Sequence, residues 1–286
     1  MSPWSCGWPA PAKLNLMLRI VGRRADGYHE LQTVFQFIDR NDWLDFRVRA
    51  DGLISRQTDI PGLAADQDLV VRAARLLQQA ADTGLGADIR IDKRLPMGGG
   101  LGGGSSNAAT VLVALNRLWD CGLETERLGR LGLSLGADVP IFVHGHAAWA
   151  EGVGERFEPI DLPEPWYLVL TPRCHVSTAA VFQDPELTRD STRITIRAFA
   201  AGDTRNDCLP VVRNRYPEVA QAIDWLSEFS DARLTGTGAC VFAGFESEQR
   251  AQQVAGRLPA GFEGFVARGR NRSPLLKRLA EAAPGG

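Results

Sequence analysis

The stretch Pro96-Met-Gly-Gly-Gly-Leu-Gly-Gly-Gly-Ser-Ser-Asn107 places six glycines within seven residues, directly ahead of an apolar segment. Glycine loses more backbone freedom on folding than any other residue, so the run is a local cost in stability. Closely spaced N–H groups and the unpaired donors of a following helix can surround an anion without obstruction by side chains. We therefore expect a phosphate-binding loop, in which the hydroxyls of Ser105 and Ser106 cap the helix or contact a phosphate or its magnesium.

Two other glycine signatures fit this loop less well. Gly98, Gly100 and Gly103 match the spacing G-x-G-x-x-G of a dinucleotide-binding turn. However, the preceding segment is half polar, unlike a buried parallel strand, and Asp120, the acid at about the right distance, ends a helix. The other common phosphate loop would need lysine where Gly104 stands. The sequence therefore disfavours a dinucleotide-binding turn and excludes the phosphate loop that contains lysine.

The segments around the loop alternate between extended and helical patterns. Residues 14–21 and 31–38 read as strands joined by a turn over 23–29, which predicts an antiparallel pair. Residues 69–80 have helical spacing, and residues 87–92 alternate strictly, which predicts a strand with Asp88, Arg90 and Asp92 on a solvated face. After the loop, the apolar spacing predicts a helix from about Ser106 to Asp120 with one buried stripe.

The pattern beyond residue 120 is less regular. A second helix is expected near residues 124–135, followed by a break over Gly136-Ala-Asp-Val-Pro140 and a strand over 141–150. His144 and His146 would alternate along that strand as structural residues rather than metal ligands. Prolines at 159, 163 and 165 mark the expected boundary between domains 1–158 and 159–286.

Composition narrows the class of protein. The chain has 286 residues, 44% of them hydrophobic, enough for one large domain or two ordinary ones. A formal net charge of -2 gives no excess of positive charge for nucleic acid or an anionic membrane. Five scattered cysteines, an odd number, fit a reducing cytoplasm. The N-terminus lacks a signal-peptide pattern and no segment reaches the length of a membrane span, so we expect a cytoplasmic protein.

Several motifs together carry a family resemblance. The stretch from Pro96 to Ala109 resembles the phosphate-binding motif of the small-molecule kinases named for galactokinase, homoserine kinase, mevalonate kinase and phosphomevalonate kinase, the GHMP kinases. Residues 11–16 (PAKLNL), 26–33 (DGYHELQT) and 136–142 (GADVPIF) resemble those members that phosphorylate 4-diphosphocytidyl-2-C-methyl-D-erythritol in the non-mevalonate isoprenoid pathway. Residues 234–240 (LTGTGAC) are similar to the third motif of the superfamily. The segments follow the expected order along nearly the whole chain.

The resemblance implies an α+β fold with an N-terminal ATP-binding domain of the ribosomal-protein S5-like type and a C-terminal ferredoxin-like domain. The active site would lie in the cleft between them. The implied reaction transfers the γ-phosphoryl group of ATP to the 2-hydroxyl of the methylerythritol moiety and releases ADP. Mg²⁺ would arrive with ATP, held mainly by phosphate oxygens, without a dedicated protein metal site. The protein would act on small molecules, as a monomer or a weak homodimer.

The resemblance also assigns roles to individual residues. Asp138 would accept the proton of the hydroxyl, and Lys13 would be its electrostatic partner. Without the resemblance, Asp138 would be interpreted as a turn or cap residue and Lys13 as a solvated lysine on a strand. The implied substrate-binding residues are Asn15, Tyr28, His29, Thr178 and Phe182. The implied ATP-binding residues are Pro96, Met97, Gly98, Gly99, Gly100, Leu101, Gly102, Gly103, Gly104, Ser105 and Ser106.

These assignments leave some alternatives open. Tyr28 and Phe182 would stack on the cytosine ring and His29 would bind its edge, yet Phe182 by itself fits a core position equally well. The turn from Thr235 to Gly238 is either a simple hairpin turn or part of the active-site wall. A kinase for mevalonate, homoserine or a sugar has the same glycine loop but no need of a cytosine pocket. A regulator that binds nucleotide without turnover has no need of both Lys13 and Asp138.

Overall fold

The computed structural model describes residues 2–25 and 27–282, and in that part of the chain it contains ten strands and ten helices in mixed order. The strands are β1 (Ser5–Arg23), β2 (His29–Arg49), β3 (Ile54–Arg56), β4 (Gly86–Asp92), β5 (Ala148–Gly152), β6 (Arg156–Pro159), β7 (Trp166–Leu170), β8 (Arg233–Leu234), β9 (Val241–Phe245) and β10 (Gly264–Arg270). The helices are α1 (Leu69–Ala80), α2 (Gly103–Leu118), α3 (Thr125–Leu135), α4 (Val139–His144), α5 (Thr178–Gln183), α6 (Ile196–Ala200), α7 (Leu209–Arg215), α8 (Pro217–Ser227), α9 (Glu248–Ala255) and α10 (Pro274–Glu281). The predictions of α1, α3 and β4 are confirmed.

One continuous sheet connects both halves of the chain. Its strands follow the order β3-β4-β2-β10-β7-β9-β8, with β1 and β5 also paired to β2 and β6 paired to β5. The predicted antiparallel pair of early strands is confirmed, because β1 and β2 run antiparallel with Lys13 opposite Phe37 and Leu18 opposite Thr33. Strand β2 is 21 residues long, which lets it pair with β1, β4, β5 and β10. The polar side chains of Lys13 and Asn15 on β1 are both buried.

Three apolar clusters hold the elements together. The first packs α1, α2 and α4 against β2 and β4, and the second packs α7 and α8 against β7 and β9. The third joins the two halves around β1, where Leu14 and Met17 meet Val169 and Phe242. Burial of apolar surface is the main favourable term in folding, so β1 is among the best-anchored parts of the chain.

The helix after the glycine loop begins earlier than expected. Gly102, with φ of 73°, is the N-cap, and α2 starts at Gly103, so Ser105 and Ser106 lie within the first turn. The predicted start at Ser106 and the predicted serine cap are therefore wrong. The prediction of a single buried stripe is also wrong, because every residue from Ser106 to Leu115 is buried.

The strand before the loop has a less solvated polar face than predicted. Arg90 and Asp92 are exposed, but Asp88 is fully buried and pairs with Arg47 at 2.6 Å and Arg49 at 2.9 Å. Burial acts to raise the pKa of Asp88, but hydrogen bonds from both arginines outweigh it and hold the pKa below its usual value. The alternating pattern could not reveal this pairing, because the arginines belong to β2.

The segment predicted as a strand over 141–150 is helical at its start. Residues Val139 to His144 form α4, with Pro140 in its first turn, and the helix ends at Gly145, whose φ is 70°. Proline is well tolerated in the first turn of a helix, so it starts α4 here rather than breaking the chain. His144 is on this helix and packs against Phe157 at 5.4 Å between ring centroids, so the prediction of two alternating strand histidines is wrong. Within the described ranges, no helix has the length and apolar content needed to cross a bilayer.

Candidate active site

Strand β1 carries Lys13 and Asn15 into the interior. The pairing of β1 with β2 shifts register between Pro11 and Ala12 and again between Asn15 and Met17, so bulges bracket the segment that holds these side chains. Bulges re-aim side chains and are common beside functional sites. Lys13 is only 2% exposed, which is rare for lysine unless its ammonium has partners.

The ammonium group of Lys13 has three oxygen partners. Its Nζ donates to Asn15 Oδ1 at 2.5 Å and to the carbonyl of Gly100 at 2.9 Å. It also lies 3.3 Å from Asp138 Oδ2, and 5.5 Å from the centre of the Phe35 ring. A buried cation that is paired and hydrogen-bonded in this way is a fixed positive charge next to one carboxylate and the glycine loop.

The carboxylate of Asp138 is turned away from the role of a helix cap. Asp138 occupies the N-cap position of α4, but its side chain makes no capping hydrogen bond. The side chain is instead directed to Lys13 and is 38% exposed. An accessible carboxylate beside a fixed ammonium can accept a proton from a bound hydroxyl.

These groups share one cavity of about 300 Å³. It is lined by Lys13, Asn15, Leu18, Leu31, Thr33, Phe35, Gly100, Ser105, Ala137, Asp138, Val153, Gly154, Thr178, Phe182, Gly236 and Thr237. The structure thus brings together residues from seven separate segments, including three of the residues implied for substrate binding, Asn15, Thr178 and Phe182. Tyr28 and His29 are not part of this lining.

The glycine loop packs directly on the turn of residues 235–240, which connects β8 to β9. The N–H of Cys240 donates to the carbonyl of Gly99 at 3.1 Å, and the Thr235 hydroxyl donates to the carbonyl of Gly100 at 3.2 Å. A Cβ atom on Gly100 would lie 2.3 Å from the carbonyl oxygen of Thr235. The turn is therefore both a hairpin connection and a support for the loop.

The start of α2 offers unpaired polar groups. Its N-cap Gly102 supplies no side-chain acceptor for the first N–H groups of the helix. Within the described residues, Ser106 Oγ and Asn107 Oδ1 are buried without a hydrogen-bond partner. Buried polar atoms are nearly always satisfied, so these orphans fit a site that an anion and its cation complete. The described ranges hold no cluster of three or more His, Cys, Asp or Glu side chains suited to a metal ion.

The implied base-binding residues lie next to each other. His29, the first residue of β2, stacks on Phe182 of α5 with ring centroids 5.0 Å apart and an angle of 25° between planes. Tyr28 is 64% exposed. Thr178, the first residue of α5, pairs its hydroxyl with that of Thr237 at 2.9 Å. Asp26, at the head of the segment that carries Tyr28 and His29, lies outside the described residues.

Sequence reasoning missed several supporting residues. Thr33 accepts a hydrogen bond from Asn15 Nδ2 at 2.8 Å and donates to the carbonyl of Met17 at 2.6 Å, which fixes the amide of Asn15. Asn206 Nδ2 donates to the carbonyls of Leu234 and Gly236, each at 2.9 Å, and so holds the supporting turn. Thr33 belongs to a quoted motif and could have been found, but nothing local in the sequence distinguishes Asn206.

The chain is similar to known proteins of one kinase superfamily. The model of the GHMP kinase N-terminal domain matches residues 68–146, and that of the GHMP kinase C-terminal domain matches residues 189–264. A protein of Alkalilimnicola ehrlichii named 4-diphosphocytidyl-2-C-methyl-D-erythritol kinase is 62% identical over 276 residues, covering 96% of this chain and 95% of its own. A protein of the same name from Halorhodospira halophila is 56% identical over 289 residues and covers 100% of both chains.

Solved structures agree with these relatives. A crystal structure of 4-(cytidine 5'-diphospho)-2C-methyl-D-erythritol kinase has 33% identity and a TM-score of 0.78, covering 91% of this chain and 98% of that chain. A mevalonate kinase structure at 15% identity, with a TM-score of 0.68 over 95% of this chain and 100% of that chain, shares the fold. The predicted α+β, two-domain GHMP kinase fold is thus confirmed. This chain belongs to the GHMP kinases and, among them, to the family of 4-diphosphocytidyl-2-C-methyl-D-erythritol kinases.

Proposed function

We propose that the protein transfers the γ-phosphoryl group of ATP to the 2-hydroxyl of 4-diphosphocytidyl-2-C-methyl-D-erythritol, giving the 2-phosphate and ADP. The observation that carries the proposal is the pair of Lys13 and Asp138, 3.3 Å apart, in one cavity with Phe182 and the glycine loop. Phosphoryl transfer depends mostly on positioning and on charge neutralisation, and this cavity supplies groups for both.

Asp138 is the proposed proton acceptor. An alcohol has a pKa far above neutrality, so a carboxylate that takes its proton as the bond to phosphorus forms speeds the reaction. Lys13 is the proposed stabiliser of the negative charge that develops around the transferred group. Both amide atoms of Asn15 are hydrogen-bonded within the protein, Oδ1 to Lys13 and Nδ2 to Thr33. We therefore propose that the main role of Asn15 is to orient Lys13 and that a contact to the substrate is secondary.

The loop of residues 96–106 is the proposed site of the ATP phosphates. Open N–H groups at the start of α2 and the unpaired hydroxyl of Ser106 support this assignment. Ser105 and Ser106 are the side chains that would hold Mg²⁺ if the protein contributes a ligand, and the ion would neutralise phosphate charge when bound.

The cytidine moiety is the part of the substrate that we assign to the aromatic residues. Phe182 and Tyr28 are the proposed stacking partners and His29 the proposed hydrogen-bonding residue, with Thr178 as a further polar contact. The contact between His29 and Phe182 leaves no space for a base between these two rings. The base would therefore lie against the opposite face of Phe182, with Tyr28 as the proposed second stacking partner.

The domain boundary, the oligomeric state and the cellular location are also proposed. We propose a boundary between residues 158 and 159, supported by the two family matches, which fall on either side of it. A monomer or weak homodimer is the proposed state. Five cysteines with free thiols support a reducing, cytoplasmic location.

The test is coupled ADP release by the purified protein with Mg²⁺ and ATP. The acceptor 4-diphosphocytidyl-2-C-methyl-D-erythritol is compared with mevalonate, homoserine and galactose. Turnover with the cytidyl alcohol alone is expected. Turnover with another alcohol would keep the kinase assignment and remove the cytidine pocket, while ATP binding without turnover on any acceptor would favour a regulator.

A further inference from the structure

Arg189 joins the start of β2 to the end of α5. Its Nε donates to His29 Nε2 at 3.3 Å, and its Nη1 donates to the carbonyl of Leu187 at 3.0 Å. Its Nη2 donates to the carbonyls of Phe182 at 3.0 Å and Asp184 at 2.6 Å. One side chain thereby holds the ring of His29 against the backbone that carries Phe182.

The contact to Arg189 determines which nitrogen of His29 carries the proton. A guanidinium group only donates hydrogen bonds and does not lose its charge in proteins, so His29 Nε2 has to be the acceptor. The proton of the neutral imidazole is then on Nδ1. Within the described residues Nδ1 has no hydrogen-bond partner, so its N–H is available to a ligand.

The charges around the ring favour this neutral form. Burial of the ring and the positive charges of Arg189 and Arg23 hold the pKa of His29 below its usual value. Arg189 faces the ring from the segment after α5, and Arg23 faces it from the end of β1. On the same strand, the neighbouring Glu30 is engaged by Arg193 at 2.8 Å.

We propose that Arg189 is a positioning residue for the cytidyl substrate, because it makes His29 present an N–H donor at Nδ1 to an acceptor atom of the cytidine moiety. The inference rests on the proposed function. Arg189 acts through His29 and Phe182, not on the reacting atoms. It therefore affects binding of the alcohol substrate and leaves the phosphoryl-transfer step unchanged.

Loss of Arg189 has a distinctive dependence on pH. Once Nε2 is released it can carry the proton, and Nδ1 then presents a lone pair that repels an acceptor atom of the ligand. Protonation of the imidazole restores an N–H on both nitrogens. Substrate binding by the variant should therefore improve as the pH falls through the pKa of His29. A general loosening of the fold would not produce this improvement at lower pH.

The first experiment measures KM and kcat of Arg189→Met at about pH 6 and about pH 8, on either side of the ordinary histidine pKa. We expect KM for the cytidyl substrate to rise about tenfold at the higher pH, the scale of one hydrogen bond, and about twofold at the lower pH. We expect kcat and KM for ATP to stay within about twofold of the wild type, because neither depends on the base contact. A matched control is Arg193→Met, which removes an arginine from the same segment and should leave all three constants unchanged.

The second experiment reads the tautomer without substrate. Nitrogen-15 NMR of the free protein, with the His29 signals assigned by their loss in His29→Asn, should give a protonated Nδ1 and a bare Nε2 in the wild type. In Arg189→Met the Nε2 should become protonated. If that variant does not fold, Arg189→Lys takes its place, and its ammonium should keep the proton on Nδ1 and the KM independent of pH.

Each outcome decides the inference. A protonated Nε2 in the neutral wild-type ring would overturn it, as would a rise in KM that is equal at both pH values. Absence of turnover by the wild type with the cytidyl alcohol would instead remove the proposed function and leave the tautomer result standing.

Discussion

Replacing Asp138 with asparagine removes one negative charge and keeps the size and shape of the side chain. The carboxylate is 38% exposed and makes no capping hydrogen bond, so the substitution removes no hydrogen bond from the start of α4. Lys13 keeps its hydrogen bonds to Asn15 at 2.5 Å and Gly100 at 2.9 Å. The ground-state structure should therefore survive the substitution.

The expected effects on stability and on turnover differ greatly in size. An ion pair with one partly exposed partner contributes about 1 kcal/mol, which corresponds to about 2 °C in Tm for a protein of this size. Loss of a general base lowers the rate by about 10² to 10⁴, or roughly 3 to 5 kcal/mol in the barrier. Asp138→Asn should thus lower kcat at least about a hundredfold with little change in Tm.

The assay is coupled ADP release, together with thermal unfolding and ATP binding measured by titration. A matched control is Asp203→Asn, since Asp203 also has a side chain 38% exposed and pairs with a buried cation, Arg19, but is outside the cavity lining. We expect the control to change Tm by a similar small amount and to keep full turnover. Near-normal turnover of Asp138→Asn would refute its role as base, and an equal loss in both variants would attribute the effect to folding.

Three further predictions concern the loop, the aromatic pair and a buried carboxylate. Gly100→Ala should lower the free energy of unfolding by more than about 2 kcal/mol in urea titrations, because its Cβ would lie 2.3 Å from a backbone oxygen, whereas Gly62→Ala, also at positive φ but in open space, should cost about 1 kcal/mol. Phe182→Ala should raise KM for the cytidyl substrate and leave KM for ATP unchanged in steady-state assays; a change in ATP affinity instead would contradict its assignment. Because the folded-state pKa of Asp88 is lowered, its contribution is present above about pH 4 and lost as the pH falls through the folded-state pKa; Asp88→Asn should reduce stability at neutral pH and flatten the loss on acidification, as measured by thermal unfolding across pH.

Local sequence patterns predicted the elements whose burial follows a regular period. Helix α1 buries one face against its neighbours, so its periodicity is visible in the chain itself. Strand β1 is buried on both faces from Trp8 to Ile20, and its alternation in the sequence is correspondingly imperfect. Helix α2 is surrounded by other elements, and its solvent-facing side therefore disappears between Ser106 and Leu115. Asp88 was placed in solvent because the two arginines that neutralise it are about forty residues away in sequence. Tertiary contacts of this kind leave no local signal.

The residues of the site also fall into those that local motifs reveal and those that only the tertiary structure reveals. Lys13 and Asp138 were found through motifs, but their separation of 3.3 Å depends on how β1 and α4 pack and could not be read from either segment. Arg189 and Asn206 were missed because each acts on backbone carbonyls, a role open to any long or amide side chain in a loop. Residues that touch a ligand leave motifs, whereas the residues that hold them in position often do not.

The glycine run itself serves two physical requirements, and the structure separates them. A Cβ on Gly99 would lie 2.5 Å from Cys240 Sγ, and one on Gly102 would lie 2.7 Å from the Phe142 ring, so these positions need glycine for the protein's own packing. At Gly104 the nearest atom would be 3.7 Å away, an ordinary contact, so packing does not explain glycine there. Gly104 is exposed and lies in the first turn of α2, beside the unpaired N–H groups assigned to the ATP phosphates. The entropic cost of the run is therefore offset partly by close packing of the loop on its supporting turn and, at its helical end, by the space that it leaves for an anion.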